Sequence, residues 1–190
     1  QSPIEMHECL FTENFSSRAA GLLFNDAEGA VIFRCTLSGN SGPLSAAFSS
    51  VSIFGGTPAI STTIISETSV NYGILFSVAD QANVHHCDIF VTGGDPLGFL
   101  GGDSAMGPDG IGVLDTLNVR GDTCDVYQNI FLNPEFNDSI AYHLENWSPC
   151  IDAGDPEVQY DPDGTVADMG AFYYTPPQRV EPGQTAVCIY

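Results

Sequence analysis

Carboxylates on tight turns are the side chains of this chain best placed to do chemistry. Asp161-Pro162-Asp163-Gly164 is followed by Asp168 and preceded by Asp152 and Asp155. Hard cations take several oxygen ligands at once, and two carboxylates two apart on a glycine-containing turn can converge on one ion. Asp152, Asp155, Asp161, Asp163 and Asp168 are therefore the candidate metal ligands, and Ca2+ is the cofactor they point to. The glutamate that closes an EF-hand loop is missing, so the alternative is an Asp/Pro/Gly turn with solvated carboxylates. Asp103, Asp109 and Asp115 form a more dispersed second set.

The other reactive residue types fit chemistry less well. His85 and His86 are adjacent on an expected strand, which sends their rings to opposite faces and makes a poor chelate. Together with His7 and His143 they are expected to be structural or surface residues, His143 as a packing residue. Six cysteines stand at 9, 35, 87, 124, 150 and 188. No two are separated by two residues, so a zinc site of that type is not expected. Cys9, Cys35 and Cys87 read as buried thiols in a packing column, with bridging between neighbours as the alternative. Cys124, Cys150 and Cys188 are the better disulfide candidates. Lyase chemistry would need a base beside a uronate. With four basic residues and no lysine, that base is poorly provided for, and no catalytic residue is assigned.

These residues must be held by a repeat. An apolar residue, a cysteine three later, an aliphatic or aromatic two after that and an asparagine three further on recur at Met6, Cys9, Phe11 and Asn14, and at Ile32, Cys35, Leu37 and Asn40. Degenerate copies follow at Ile60, Thr63, Ile65 and Thr68, and at Val84, Cys87, Ile89 and Thr92. The cysteine slots at 9, 35, 63 and 87 give steps of 26, 28 and 24, the signature of a solenoid. Short β-branched runs bounded by Gly, Asn, Asp and Ser predict about three strands per rung, including Gly21–Phe24, Ala30–Leu37, Ala46–Phe48, Val51–Phe54, Ala59–Ser66, Gly73–Phe76 and Val84–Val91. Asn14 and Asn40 should turn corners, in left-handed conformation or by bonding the next rung. The repeat breaks over 93–123, an irregular insertion rich in Gly and Asp. It resumes with Cys124, Val126 and Asn129 in the Cys, Leu and Asn slots.

Composition narrows the partners. Hydrophobic residues make up 43% and charged residues 15%, so the chain is not of the disordered class. A net charge of −20 argues against nucleic acid and against an anionic membrane surface. No apolar run is long enough for a membrane-spanning helix. The chain opens on Gln1 in mid-rung with no signal peptide, so it is expected to be a processed or excised piece of a longer protein. Asn14, Asn137 and Asn146 match the N-glycosylation pattern, which carries little weight here.

The repeat resembles the right-handed parallel β-helix, the pectate-lyase-like architecture, in a degenerate bacterial form. The more specific match is an ordered series: Asn129-Ile130-Phe131-Leu132-Asn133-Pro134-Glu135-Phe136, Tyr142-His143-Leu144, Ser148-Pro149-Cys150-Ile151-Asp152-Ala153-Gly154-Asp155-Pro156, then Asp161–Thr165 and Ala167–Phe172. It is similar to the end of the β-helix region in large secreted bacterial proteins. The resemblance implies an all-β, right-handed parallel β-helix with rungs of about 24–28 residues and an irregular, loop-rich C-terminal segment. It also implies an extracellular location. The β-helix domain spans 1–174, with the insertion at 93–123 and the terminal segment at 129–174. Residues 175–190 form a linker and a strand, Ala186–Tyr190, towards a next domain or a neighbouring subunit.

The functional expectation is a secreted, non-catalytic structural or adhesive solenoid, self-associating end to end through an uncapped rung or docking on neighbouring domains of its own protein. The rival is a polysaccharide-binding or polysaccharide-degrading β-helix using the 93–123 loop and Phe99, with glycans as partners.

Overall fold

Each of four successive sequence repeats folds into three short strands, and equivalent strands stack in register into three parallel sheets. The computed structural model describes residues 4–17, 19–42, 49–79, 81–138 and 140–176. The first sheet stacks β1 (Glu5–His7), β4 (Val31–Phe33), β7 (Ala59–Ser61) and β10 (Asn83–His85). The second stacks β2 (Leu10–Thr12), β5 (Thr36–Ser38), β8 (Ile64–Glu67) and β11 (Asp88–Val91). The third stacks β3 (Ala19–Ala27), β6 (Ser49–Gly56), β9 (Tyr72–Ser77) and β12 (Asp95–Phe99). The result is a parallel β-solenoid of about three turns. The expected strand at Ala46–Phe48, the arm at Ala186–Tyr190 and Cys188 lie outside the described residues.

The repeat slots are core columns. Met6, Ile32, Ile60 and Val84 stack in one sheet, and Phe11, Leu37, Ile65 and Ile89 in the next. Ile32, Ile60, Ile65 and Ile89 are essentially inaccessible to solvent. Burying each such side chain contributes roughly 1.5–3 kcal/mol, which no single rung could collect alone.

The stretch expected as one strand, Ala30–Leu37, is two strands around a corner. The corner residue has φ 52° at Glu8, 50° at Arg34, 51° at Thr62, 50° at His86 and 65° at Gln128. None of these is Gly or Asn, the types that favour left-handed backbone. The same correction applies to the asparagine corners: positive φ falls one residue earlier, at Glu13 and Gly39. The asparagines do bond between rungs. Asn14 Nδ2 donates to Asn40 Oδ1 at 2.9 Å, and Asn40 Nδ2 donates to Glu67 Oε1 at 2.7 Å.

The cysteine slot follows the corner residue, and its side chain ties the turn. Cys9, Cys35 and Cys87 donate S–H to the carbonyl two residues back at 3.2, 3.4 and 3.2 Å, and Thr63 donates its hydroxyl in the same way at 2.9 Å. Burial pushes the Cys35 thiol up to about 11 and the Cys87 thiol up to about 12, so both keep the proton they donate. The five cysteines among the described residues, Cys124 and Cys150 included, are free thiols rather than disulfides.

The repeat does not stop at 93. Asp95–Phe99 pairs with Tyr72–Phe76 and completes the fourth rung. An excursion then runs through two single-turn 3-10 helices, Leu100–Gly102 and Ser104–Met106, and a two-stranded antiparallel ribbon of β13 (Thr116–Leu117) and β14 (Thr123–Cys124). When the chain rejoins the solenoid, Asn129 occupies the cysteine slot, not Cys124. The His86 N–H donates to Tyr127 O, the Cys87 N–H to Asn129 Oδ1 and the Ile130 N–H to Cys87 O. Ile111, Tyr127 and Phe131 pack on the solenoid core and cover its fourth rung.

Residues 133–138 and 140–174 form a strap across the outer face of the second sheet. Ile64, which points away from the solenoid interior, shares a second core with Cys124, Ile130, Leu144, Cys150, Ala153 and Met169. The strap runs first to the opposite end of the solenoid, where Tyr142 Oη and Thr12 Oγ1 share a hydrogen bond at 3.0 Å. It then returns to the fourth rung, where Cys150 Sγ donates to Asp88 Oδ2 at 3.3 Å. A final pass brings the Ala171 N–H to Thr36 Oγ1 on the second rung at 2.9 Å. Gly170 (φ 102°) lets it lie this close, since a Cβ there would sit 2.8 Å from Ile64 Cδ1 and 2.9 Å from Thr36 Oγ1.

Candidate functional site

The strap crosses the left-handed corners, and the chemistry gathers at those crossings. On the second rung, Arg34 Nη2 donates to Asp161 Oδ1, and both side chains are buried. Asp161 Oδ2 accepts the Asp168 N–H at 2.7 Å, and Asp168 Oδ1 accepts the Asp152 N–H at 2.7 Å. Burial pushes the Asp168 carboxyl up to about 6, against the hydrogen bonds from Tyr174 and Asp152 that favour its ionised form. On the third rung, Thr62 Oγ1 accepts the Asp155 N–H at 3.2 Å, and the Gly170 N–H donates to Thr62 O at 2.9 Å.

The five expected cation ligands thus occupy three places. Asp152, Asp161 and Asp168 are joined in one chain of hydrogen bonds around Arg34. Asp163 is exposed, and its Oδ1 accepts the N–H and the hydroxyl of Thr165 at 3.1 and 2.7 Å, the bonding of a local turn. Asp155, on the strap, faces two histidines of the fourth rung.

At that rung the two imidazoles lie on the same side of the chain. His85 Nδ1 and His86 Nδ1 are 3.0 Å apart. Strand alternation would have separated them, but His86 is the corner residue, and its φ of 50° rotates the ring back towards its neighbour. Asp155 Oδ2 lies 3.8 Å from His85 Nδ1, while its Oδ1 accepts the Glu157 N–H at 2.9 Å. Burial holds both imidazoles below the ordinary histidine range. Asp155 opposes that depression in both, and His85 adds to it in His86. Burial thus works against an ion pair between these rings and Asp155. Among the described residues, this is the one set of three His, Cys, Asp or Glu side chains whose ligand atoms all lie within 4.8 Å of one another.

Further carboxyls are inside, Glu67 and Asp88 among them. Glu67 accepts the Asn40 N–H at 2.9 Å, Asn40 Nδ2 at 2.7 Å and the Ser50 hydroxyl at 2.8 Å. Burial nevertheless pushes it up to about 7. Asp88, under the strap, is pushed up to about 8 by burial, although the Leu132 N–H and the Cys150 thiol favour its ionised form. His143, expected to pack, is exposed and lies 5.0 Å from the Phe172 ring; the neighbouring Tyr142 is the buried residue.

A cleft of about 640 Å³ opens on the excursion, lined by residues including Gln81, Phe99, Ser104, Pro108 and Asp109. Compared with protein-family models, with curated proteins and with solved structures, the chain finds no match.

Proposed function

We propose that this chain is a non-catalytic structural module of an extracellular protein, a β-helix of the right-handed, pectate-lyase-like type that associates through its ends. The observation that carries the reading is the asymmetry of the stack. Among the described residues, β1, β2 and β3 pair on one side only, whereas the fourth rung is covered by the excursion and by residues 127–131. Unpaired strand edges template further strands, either upstream rungs or a second copy. At the covered end, Leu100, Val113, Leu114, Leu117, Val119 and Val126 are exposed apolar side chains of the excursion. End-to-end assembly would set one copy's open edge against this end of the next. Electron microscopy and sedimentation of the purified chain test the reading: elongated, concentration-dependent particles are expected, and monodisperse monomer at every concentration would sink it.

A second reading is supported by the cleft, whose lining includes both Phe99 and Asp109. An aromatic face and a carboxylate in one cleft suit the binding of a sugar polymer, and hydrolysis would need a second carboxylate beside Asp109. A glycan array and a reducing-sugar assay decide it, and blanks in both would remove it.

A further inference from the structure

We propose that His85, His86 and Asp155 form a binding site for a first-row transition-metal ion of the Zn2+ class, which pins the strap to the fourth rung. This goes beyond the structural reading and does not depend on it.

The donor set is the first argument. Two imidazole nitrogens and one carboxylate oxygen suit zinc and its neighbours in the row, whereas Ca2+ takes oxygen ligands. Geometry is the second. A tetrahedral ion ~2.0–2.1 Å from each nitrogen holds its ligands ~3.3 Å apart. The two Nδ1 atoms are already 3.0 Å apart, Asp155 Oδ2 is 3.8 Å from His85 Nδ1, ~0.5 Å beyond that spacing, and one ligand atom from each of the three residues lies within 4.8 Å of the others.

The third argument is convergence. The two Nδ1 atoms and Asp155 Oδ2 face one another from two separate segments, and a cation at their centre would bridge all three.

The surroundings hold the ligands in place. The His86 N–H is fixed to Tyr127 O at 3.0 Å, the Asp155 N–H to Thr62 Oγ1 at 3.2 Å, and Asp155 Oδ1 to the Glu157 N–H at 2.9 Å. Three protein ligands leave a fourth position for water, as in open zinc sites. The two histidines come from the solenoid and the carboxylate from the strap, so the ion would cross-link segments 69 residues apart.

The test is titration of the chelator-stripped full chain with Zn2+ alone, by calorimetry. Co2+ serves as a visible-spectrum probe, and Ca2+ is a separate arm. Expected are one saturable Zn2+ site, d–d absorption of low-coordinate Co2+, and a Zn2+-dependent slowing of amide exchange in 150–158. His85→Gln, and separately Asp155→Asn, which keeps the fixed backbone N–H, should each weaken Zn2+ by at least about 10-fold, the loss that even an outer-shell partner typically causes. Two variants on different segments guard against misfolding of one. No saturable Zn2+ binding, Zn2+ binding unchanged in both variants, or displacement of Zn2+ by equimolar Ca2+ would each overturn the proposal.

Discussion

At the corner, one bond is built four times: Cys9, Cys35, Thr63 and Cys87 each cap the carbonyl two residues back. In the strap, every comparable bond is made once, and mostly by a carboxylate. Asp161 receives Arg34 and the Asp168 N–H, and Asp168 receives the Asp152 N–H. The repeated job tolerates exchange of residue type, since a thiol and a hydroxyl do it equally. The single job does not, because no neighbouring rung carries a spare copy. Order in the solenoid is therefore distributed, and order in the strap is concentrated in a few charged contacts.

Asp161→Ala should separate strap from solenoid most strongly. It leaves the Arg34 guanidinium buried without its partner, at a cost of about 3–5 kcal/mol. Hydrogen exchange should show the loss over 150–174 with the first sheet still protected; equal deprotection of both would make strap and solenoid one unit. Next comes Ile65→Ala, in the distributed core, at about 2–5 kcal/mol. Here chemical denaturation should show a drop in global stability, with solenoid and strap melting together.

Glu67 gives a smaller, pH-dependent effect. Its folded pKa of about 7 lies above the ordinary 4.5, so the folded state holds the proton more tightly than the unfolded chain. Stability from this group is complete below pH 4.5 and declines as pH rises through 7, by roughly 3 kcal/mol at most. Glu67→Gln should flatten the fall in urea midpoint between pH 5 and pH 7, whatever its effect on the absolute level. An unchanged slope would assign the pH dependence to the other acids. The smallest change is Glu8→Asn at an exposed corner with φ 52°. Asn adopts that backbone more readily. A gain of a few tenths of a kcal/mol in thermal unfolding is expected. A loss would mean that the Glu8 side chain itself supports the corner. The Ca2+ arm of the metal titration bears on the strap as well: stabilisation by Ca2+ that persists in His85→Gln would place an ion among Asp152, Asp161, Asp163 and Asp168.

The distributed half of the molecule was legible because spacing encodes it. Slots at 9, 35, 63 and 87 predict the stack, the rung and the core columns, even where Thr63 replaces cysteine. The corners were not legible. A left-handed residue is normally betrayed by Gly or Asn, and here Glu8, Arg34, Thr62 and His86 are held in that conformation by stacking against neighbouring rungs. Missing the corner also hid the imidazole pair, since the alternation argument fails at His86. β12 was hidden by Gly93-Gly94-Asp95-Pro96, which reads as a loop although an edge strand accepts such residues. Cys124 matches the cysteine slot by residue type, but Asn129 fills it, because an asparagine can bond the backbone of the preceding rung. In the strap, turn chemistry was visible, but the pairing of Asp161 with Arg34 joins positions 127 apart and has no local signal.

The returning path of the strap also sets a mechanical property. Glu8 on the first rung and Arg34 on the second line one cleft with Ala171, Phe172, Tyr173 and Thr175. Residue 4 and residue 175 therefore lie at the same end of the stack. Tension applied between them would peel β1 and the last strap segment apart and would leave the third and fourth rungs unloaded. The module would respond to pulling as a zipper opened from one end, not as a rod stretched along its axis.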